Sequence, residues 1–356
     1  MLKYLLLALV PVSLGLHYLE GQPVLVFLTG AAAVAVLADW VRRGTEGLAA
    51  HAGPAIGGLL NVSFGSVAEL ILALFVLASG QVAVVQAQIT GSILATTLLG
   101  LGLAMLVGGI GREKQEFNPA NAGLLSTMLI LLMVAMLLPA VFDLTERSTA
   151  TPGDALITDE QLSLGIAAVL LLLYVANLVY TLVTHRDVFS REEEEGGEGP
   201  GWSVAKSLGI MVAGTALVAW EAEAVSDALS ATAEQLGLST VFLGVILLAV
   251  VGTAADLFAA VVFAKQDRMG LAFSICIGSA VQVALVLAPL LVIISWFLGH
   301  PMNLVFHSPL DLFAIAGAAF IVRAVAGDGR STWFEGLLLV GVYVMLGLAF
   351  FFLGPA

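Results

Sequence analysis

Apolar residues in this chain fall into stretches of about 18 to 28 positions separated by short breaks rich in Gly, Pro and charged residues. Eleven stretches are legible, at 2–19, 22–41, 54–79, 84–110, 121–142, 161–185, 203–225, 239–264, 270–298, 307–327 and 331–354. A helix of about 20 apolar residues crosses the hydrocarbon core of a bilayer. In lipid, backbone groups must be satisfied within the segment, which favours helices. The pattern therefore predicts an all-α membrane protein with eleven transmembrane helices.

Charge tests that count, because Lys and Arg collect in cytoplasmic loops. Alternate loops receive Lys3, Arg42, Arg43, Arg112, Lys114, Arg186, Arg191, Lys206, Lys265, Arg268, Arg323 and Arg330 on one side, and only Arg147 on the other. A missed or invented span would scramble the alternation from that point onward. The N-terminus is expected to be cytoplasmic and the C-terminus external, in a prokaryotic plasma membrane. Residues 1–19 read as a retained helix, since Lys3 precedes an apolar run but no small-residue cleavage pattern follows it.

Internal similarity adds architecture. Gly65-Ser66-Val67-Ala68-Glu69-Leu70 matches Gly252-Thr253-Ala254-Ala255-Asp256-Leu257 without a gap, at an offset of 187 positions. Gly91-Ser92 falls on Gly278-Ser279 at the same offset, one helix further on in each half. The first motif lies in the third span and the second in the eighth, so the two copies run in opposite directions across the membrane. The chain then divides into an extra N-terminal helix (1–21), a five-helix repeat (22–185), an acidic cytoplasmic linker (186–202) and a second, inverted five-helix repeat (203–356). Secondary transporters are often built this way, with the ion site near the bilayer midplane between repeats.

Composition narrows the function. The chain is 60% hydrophobic and 11% charged, whereas soluble domains are about 25% charged. Its net charge of −13 is not a nucleic-acid-binding balance. The acids are assigned mainly to loops, among them Asp143, Glu146, Asp154, Asp159 and Glu160 outside and Glu192 to Glu195 with Glu198 in the linker. One cysteine, Cys276, excludes an intrachain disulfide. No catalytic motif or resident cofactor is indicated, so an enzyme is not expected.

Against this background Glu69 and Asp256 carry the chemistry. Each lies well inside a predicted span, where an ionised carboxylate costs about 2.5–3.5 kcal/mol on insertion scales, and the two are repeat equivalents. Gly65 and Gly252 stand four residues before them and permit close approach or local unwinding, which would free backbone carbonyls. With the hydroxyls of Ser66 and Thr253 these groups suggest an oxygen-rich cation site suited to calcium or manganese. Gln86, Gln88, Ser92 and Thr96 in the first half, and Ser274, Ser279 and Gln282 in the second, are candidate supporting contacts. Interhelical hydrogen bonding is an alternative for each of them, and Gly91 and Gly278 are expected to mark close helix packing. Carboxylates that bind either a dication or protons would couple the two gradients.

At these residues the chain resembles the calcium/proton antiporter family (CAX) of the calcium:cation antiporter superfamily. The likeness runs through Gly57-Gly58-Leu59-Leu60-Asn61, Gly65-x-x-x-Glu69-Leu70, Val85-Gln86-Ala87, Gly91-Ser92-Ile93-Leu94 and Arg112-Glu113-Lys114-Gln115-x-Phe117-Asn118. In the second half it continues through Glu221 and Glu223, Phe242-Leu243-Gly244, Ser274, Gly278-Ser279-Ala280-x-Gln282 and Ala288-Pro289-Leu290-Leu291. The resemblance implies exchange of calcium for protons, movement of the second and seventh helices, and a gate or proton-entry role for Glu221 and Glu223 near the outer end of the seventh. The chain departs from the family pattern where Ser66, Thr253 and Thr96 replace Asn, and where Asp256-Leu257 replaces Glu-His. The second motif leans toward sodium/calcium exchangers, which leaves manganese as cargo and sodium as coupling ion open. A cation channel and an intramembrane protease using Glu69 and Asp256 are further alternatives; the inverted repeat argues against the first and the lack of a partner motif against the second.

Overall fold

The computed structural model describes residues 6–52, 57, 60, 64–146, 152–180, 201–306 and 308–353. Within them the chain forms α1 (Leu9–Tyr18), α2 (Pro23–Ala52), α3 (Val67–Ala78), α4 (Val82–Gly109), α5 (Pro119–Glu146), α6 (Pro152–Val179), α7 (Val204–Leu236), α8 (Thr240–Lys265), α9 (Met269–Leu298), α10 (Pro309–Val325) and α11 (Trp333–Phe352). Nine of these are long and apolar enough to cross a membrane, while α1 and α3 are shorter, at 10 and 12 residues. The linker over 186–200, Arg147 and most of 53–63 lie outside the described residues.

Several helices outrun their hydropathy. The spans expected at 22–41 and 203–225 become helices of 30 and 33 residues, about 45 and 50 Å long against a hydrocarbon core of about 30 Å. Hydropathy ends where polar residues begin, but helical hydrogen bonding continues through them. In α2 the extension is supported by ion pairs one turn apart, Arg43 to Asp39 at 2.7 Å and Arg42 to Glu46. In α7 it runs to Gly237, whose left-handed backbone (φ 65°) stops the helix in the manner open to glycine. Similar lengthening of α5 and α6 places Asp143 and Asp159, read as loop charges, inside helices, where both are buried.

The internal repeat is visible in the backbone. A π-helical segment interrupts α4 at Ala95–Gly100 and another interrupts α9 at Val283–Leu287, and the offset of 187 superimposes the two to within one residue.

Packing groups the helices into two compact units. The first takes described residues from 1–84 and 175–255: α1, α2, α3, α7 and the start of α8. The second takes 85–174 and 256–353, and so most of α4 and α6, all of α5, the rest of α8, and α9 to α11. Each unit therefore draws on both sequence halves.

In the first unit α2 and α7 pack antiparallel, closely enough that glycines are needed. A Cβ at Gly30 would lie 2.8 Å from Val225, one at Gly214 would lie 2.7 Å from Val41, and one at Gly44 would lie 3.0 Å from the Ser207 carbonyl. Small residues admit such approach where lipid offers no hydrophobic drive between helices. In the second unit α4 meets α11 in the same way. A Cβ at Gly336 would collide with the Leu106 nitrogen and lie 2.6 Å from the Gly102 carbonyl. Because those are backbone atoms, Gly336→Val is expected to destabilise this unit by about 1–3 kcal/mol or more, seen as a lower thermal midpoint of the detergent-solubilised protein.

A two-stranded ladder, β1 (Gln115–Glu116) with β2 (Arg330–Ser331), ties the α4–α5 and α10–α11 connections together. A hydrogen bond from Lys114, with the charges of Lys114 and Arg330, holds the Glu116 carboxyl below its ordinary range.

Candidate cation site

The chain enters α3 through a turn. Gly65 and Ser66 are non-helical, Ser66 having φ −105° and ψ 19°, and the helix begins at Val67. Glu69 is thus in the first turn of a short helix, not near the middle of a continuous span as hydropathy suggested. Glycine and serine both favour a helix start over a helix interior.

Ser66-x-x-Glu69 is spelled like a capping box, in which the serine hydroxyl caps the third helical N–H and the glutamate reaches back. The same pattern at Thr332-x-x-Glu335 forms that box in full, with Thr332 N–H donating to Glu335 Oε2 at 2.8 Å. At Ser66 the hydroxyl makes no capping bond. Glu69 is 1% exposed, and its side chain rests on Gly252 of α8: a Cβ there would lie 3.0 Å from Glu69 Cγ and 3.4 Å from its Cβ. Gly252 therefore makes the space that the Glu69 side chain occupies.

The two motif glycines do different things. Gly65 sits in a turn, as expected for local unwinding. Gly252 and Thr253 lie inside the unbroken helix Ala249–Lys265, so the second motif frees no helix carbonyls and its glycine serves close approach instead. Thr253 Oγ1 donates to the Ala249 carbonyl at 2.8 Å, which leaves its lone pairs available to a cation. Asp256 follows Gly252 by four residues and so shares its face of α8.

The supporting candidates divide. Gln86 is a structural clamp, donating through Nε2 to the Asn303 carbonyl at 2.8 Å, to Asn303 Oδ1 at 3.0 Å and to the Val305 carbonyl at 3.3 Å. Thr96 Oγ1 donates to the Ser92 carbonyl at 2.8 Å, and Asn121 donates to Ser274 Oγ at 3.4 Å. Gln88 is fully buried, and among the described residues neither its amide nitrogen nor its oxygen has a hydrogen-bond partner. The hydroxyls of Ser92 and Ser279, repeat equivalents, are buried in the same state. Buried amide and hydroxyl groups without partners are costly, and their lone pairs or donors remain available for a further contact. Gln282 is half-buried on α9. Gly278 does not mark close packing, since a Cβ there would meet nothing within 4 Å.

Glu221 and Glu223 need correction as a pair. Because α7 continues to Leu236, both stand in its middle and not near its outer end. Glu221 is fully buried beside the Ser13 hydroxyl of α1, and Gly30 leaves the room: a Cβ there would lie 3.1 Å from Ser13 Oγ and 3.5 Å from Glu221 Oε2. Glu223 is exposed. A further buried acid, Asp311 on α10, was not singled out from the sequence; its signal was an acid inside the apolar stretch 307–327. Among the described residues no three His, Cys, Asp or Glu side chains gather as a metal cluster. A cation held near Glu69 or Asp256 must draw on hydroxyl, amide and carbonyl oxygens as well.

Comparison with known proteins extends these observations over the whole chain. A family model described as sodium/calcium exchanger protein matches residues 22–183 and 206–352. The Ca(2+)/H(+) antiporter of Aphanothece halophytica is 38% identical, with 98% of this chain and 95% of that protein aligned. The Ca(2+)/H(+) antiporter ChaA of Bacillus subtilis (strain 168) is 39% identical, with 97% of each aligned. Among solved structures, the selenium-substituted Ca2+/H+ antiporter protein YfkE superimposes with a TM-score of 0.84 at 34% identity, covering 98% of this chain and 99% of that one.

Proposed function

Because this integral membrane chain belongs to the sodium/calcium exchanger protein family, and within it stands with the calcium/proton antiporters, we propose that it exchanges calcium for protons. The observation that carries the reading is similarity over nearly the full length, at 38% and 39% identity, to two proteins named for that exchange.

Glu69 and Asp256 are the carboxylates that take the cargo, with Ser66, Thr253 and the carbonyls around Gly65 adding neutral oxygens. Calcium accepts six to eight oxygen ligands in irregular arrangements, which suits a set of carboxylate, hydroxyl and carbonyl groups. When the metal leaves, protons neutralise the same carboxylates, since an ionised pair is costly away from water. Exchange follows if the site opens to one side at a time and the empty, doubly charged form seldom reorients. Gln88, Ser92, Ser279 and Gln282 supply supporting polar contacts. Glu221 acts within α7 as a gate or proton-entry residue, and Glu223 stands at the exposed surface of that helix. The N-terminus faces the cytoplasm.

Reconstitution in sealed vesicles tests this. Calcium uptake is expected to follow an imposed proton gradient, to saturate, and to persist without sodium. Uptake driven only by sodium, or manganese transported in preference to calcium, would replace the reading with the alternative suggested by Thr253 and Asp256-Leu257. Flux that does not saturate would identify a channel.

A further inference from the structure

Asp311 is the third residue of α10 and is 8% exposed, yet among the described residues its buried Oδ1 has no hydrogen-bond partner. The helix start is capped by another residue, since Ser308 Oγ accepts from Leu310 N–H at 3.2 Å. Asp311 Oδ1 is turned into protein, where the Thr90 hydroxyl of α4 lies beside the carboxyl. Thr90 is itself fully buried, and its hydroxyl closes no hydrogen bond of ordinary geometry.

The surroundings are rigid. The described connection over 299–306 is non-helical, with Met302, Leu304, Val305 and Phe306 buried. Three helices strap it down: Ser295 Oγ accepts from Met302 N–H at 2.9 Å, Ser163 Oγ accepts from Leu304 N–H at 2.9 Å, and Gln86 holds Asn303 and Val305. Gln86 and Thr90 are four residues apart on one face of α4. The same face thus grips the strap at one turn and meets Asp311 at the next.

A buried acid inside a membrane span calls for a function, and the oxygen count says which. One carboxyl and one hydroxyl are far short of the ligand set of a dication, but they suffice for a proton. The described elements packed against α10 bring Asp143 on α5, Glu335 and Tyr343 on α11, and Asp328 in the turn after α10. On α10 itself Arg323 stands twelve residues from Asp311, about 18 Å along the helix. Among the described residues no Lys or Arg side chain forms an ion pair with Asp311, which leaves protonation as the means of neutralising it.

We propose that Asp311 and Thr90 form a proton-binding site, distinct from Glu69 and Asp256, that loads from the side of the membrane bearing the 299–306 strap. Hydronium gives its proton to the carboxylate and leaves as water; the Thr90 hydroxyl donates to the carboxylate when the proton has gone. The site rests on the proton coupling proposed above.

The full-length protein in vesicles supplies the test, with pH varied on one side at a time. Asp311→Asn is expected to lose the dependence of calcium flux on strap-side pH while keeping the parent's half-saturating calcium concentration, and Asp311→Glu to restore it. Thr90→Val removes one donor to the ionised form and should move the midpoint by about one pH unit or more toward alkaline. An unchanged pH profile in Asp311→Asn overturns the proposal, as does an unmoved midpoint in Thr90→Val, which decides the matter if the Asn variant fails to fold. Infrared difference spectra separate this site from the exchange reading. A titrating carboxylic C=O band present in the parent and absent in Asp311→Asn supports the site even if the parent shows no proton-driven flux, and its presence in both proteins overturns it.

Discussion

Glu69→Gln is expected to stop cation exchange while the protein still inserts and folds, and Asp256→Asn is expected to do the same. Each change removes one negative charge and almost no volume. Each also relieves an insertion cost of about 2.5–3.5 kcal/mol that an ionised acid carries inside the membrane, so expression and thermal stability should hold or improve. What is lost is a charged oxygen ligand, and even the partners that merely orient a metal ligand are worth about 10- to 100-fold in affinity. A loss of exchange of about a hundredfold or more is therefore anticipated in vesicles, with normal elution of the purified variant as the control for folding. Near-normal calcium flux in either variant would reduce these acids to buried structural groups.

Gly252→Ala is the second large effect, and it separates the motif glycines. The added methyl would sit 3.0 Å from Glu69 Cγ and 3.4 Å from Cβ, tighter than van der Waals contact. Glu69 must move, and its carboxylate moves with it. Overpacking of this kind costs about 1–3 kcal/mol, which, where it falls on the calcium-bound arrangement of Glu69, corresponds to about five- to 150-fold in half-saturating calcium. Gly65→Ala acts at a turn and should change calcium affinity less. Equal effects of the two substitutions on calcium dependence would show that the contact between Gly252 and Glu69 does not tune the site.

How much of this was legible in the sequence depended on the range of the interaction. Among the described residues each of the eleven apolar stretches contributes a helix, because hydropathy and helical hydrogen bonding are both local. The ends were less legible: α2 and α7 run on to Ala52 and Leu236, since a polar helix held by ion pairs and stopped by Gly237 has no apolar signature. The motif acids stood out because a carboxylate in an apolar stretch is conspicuous at any depth. Their settings did not, because Ser66-x-x-Glu69 and Thr332-x-x-Glu335 follow one pattern and only the second forms the cap.

By itself, then, the sequence determined the class of protein, the number of helices, the duplication at 187 positions and the pair of repeat-related acids. All four are periodic or local features, readable one segment at a time. Only the tertiary structure decided which glycine turns the chain and which one receives a side chain, that Gln86 grips a strap, that Glu221 is sealed beside Ser13, and that Asp311 meets Thr90. Each of these depends on which faces of sequence-distant helices come together. That choice is set by the close packing of small residues against whole side chains, and no pattern within a single helix encodes it.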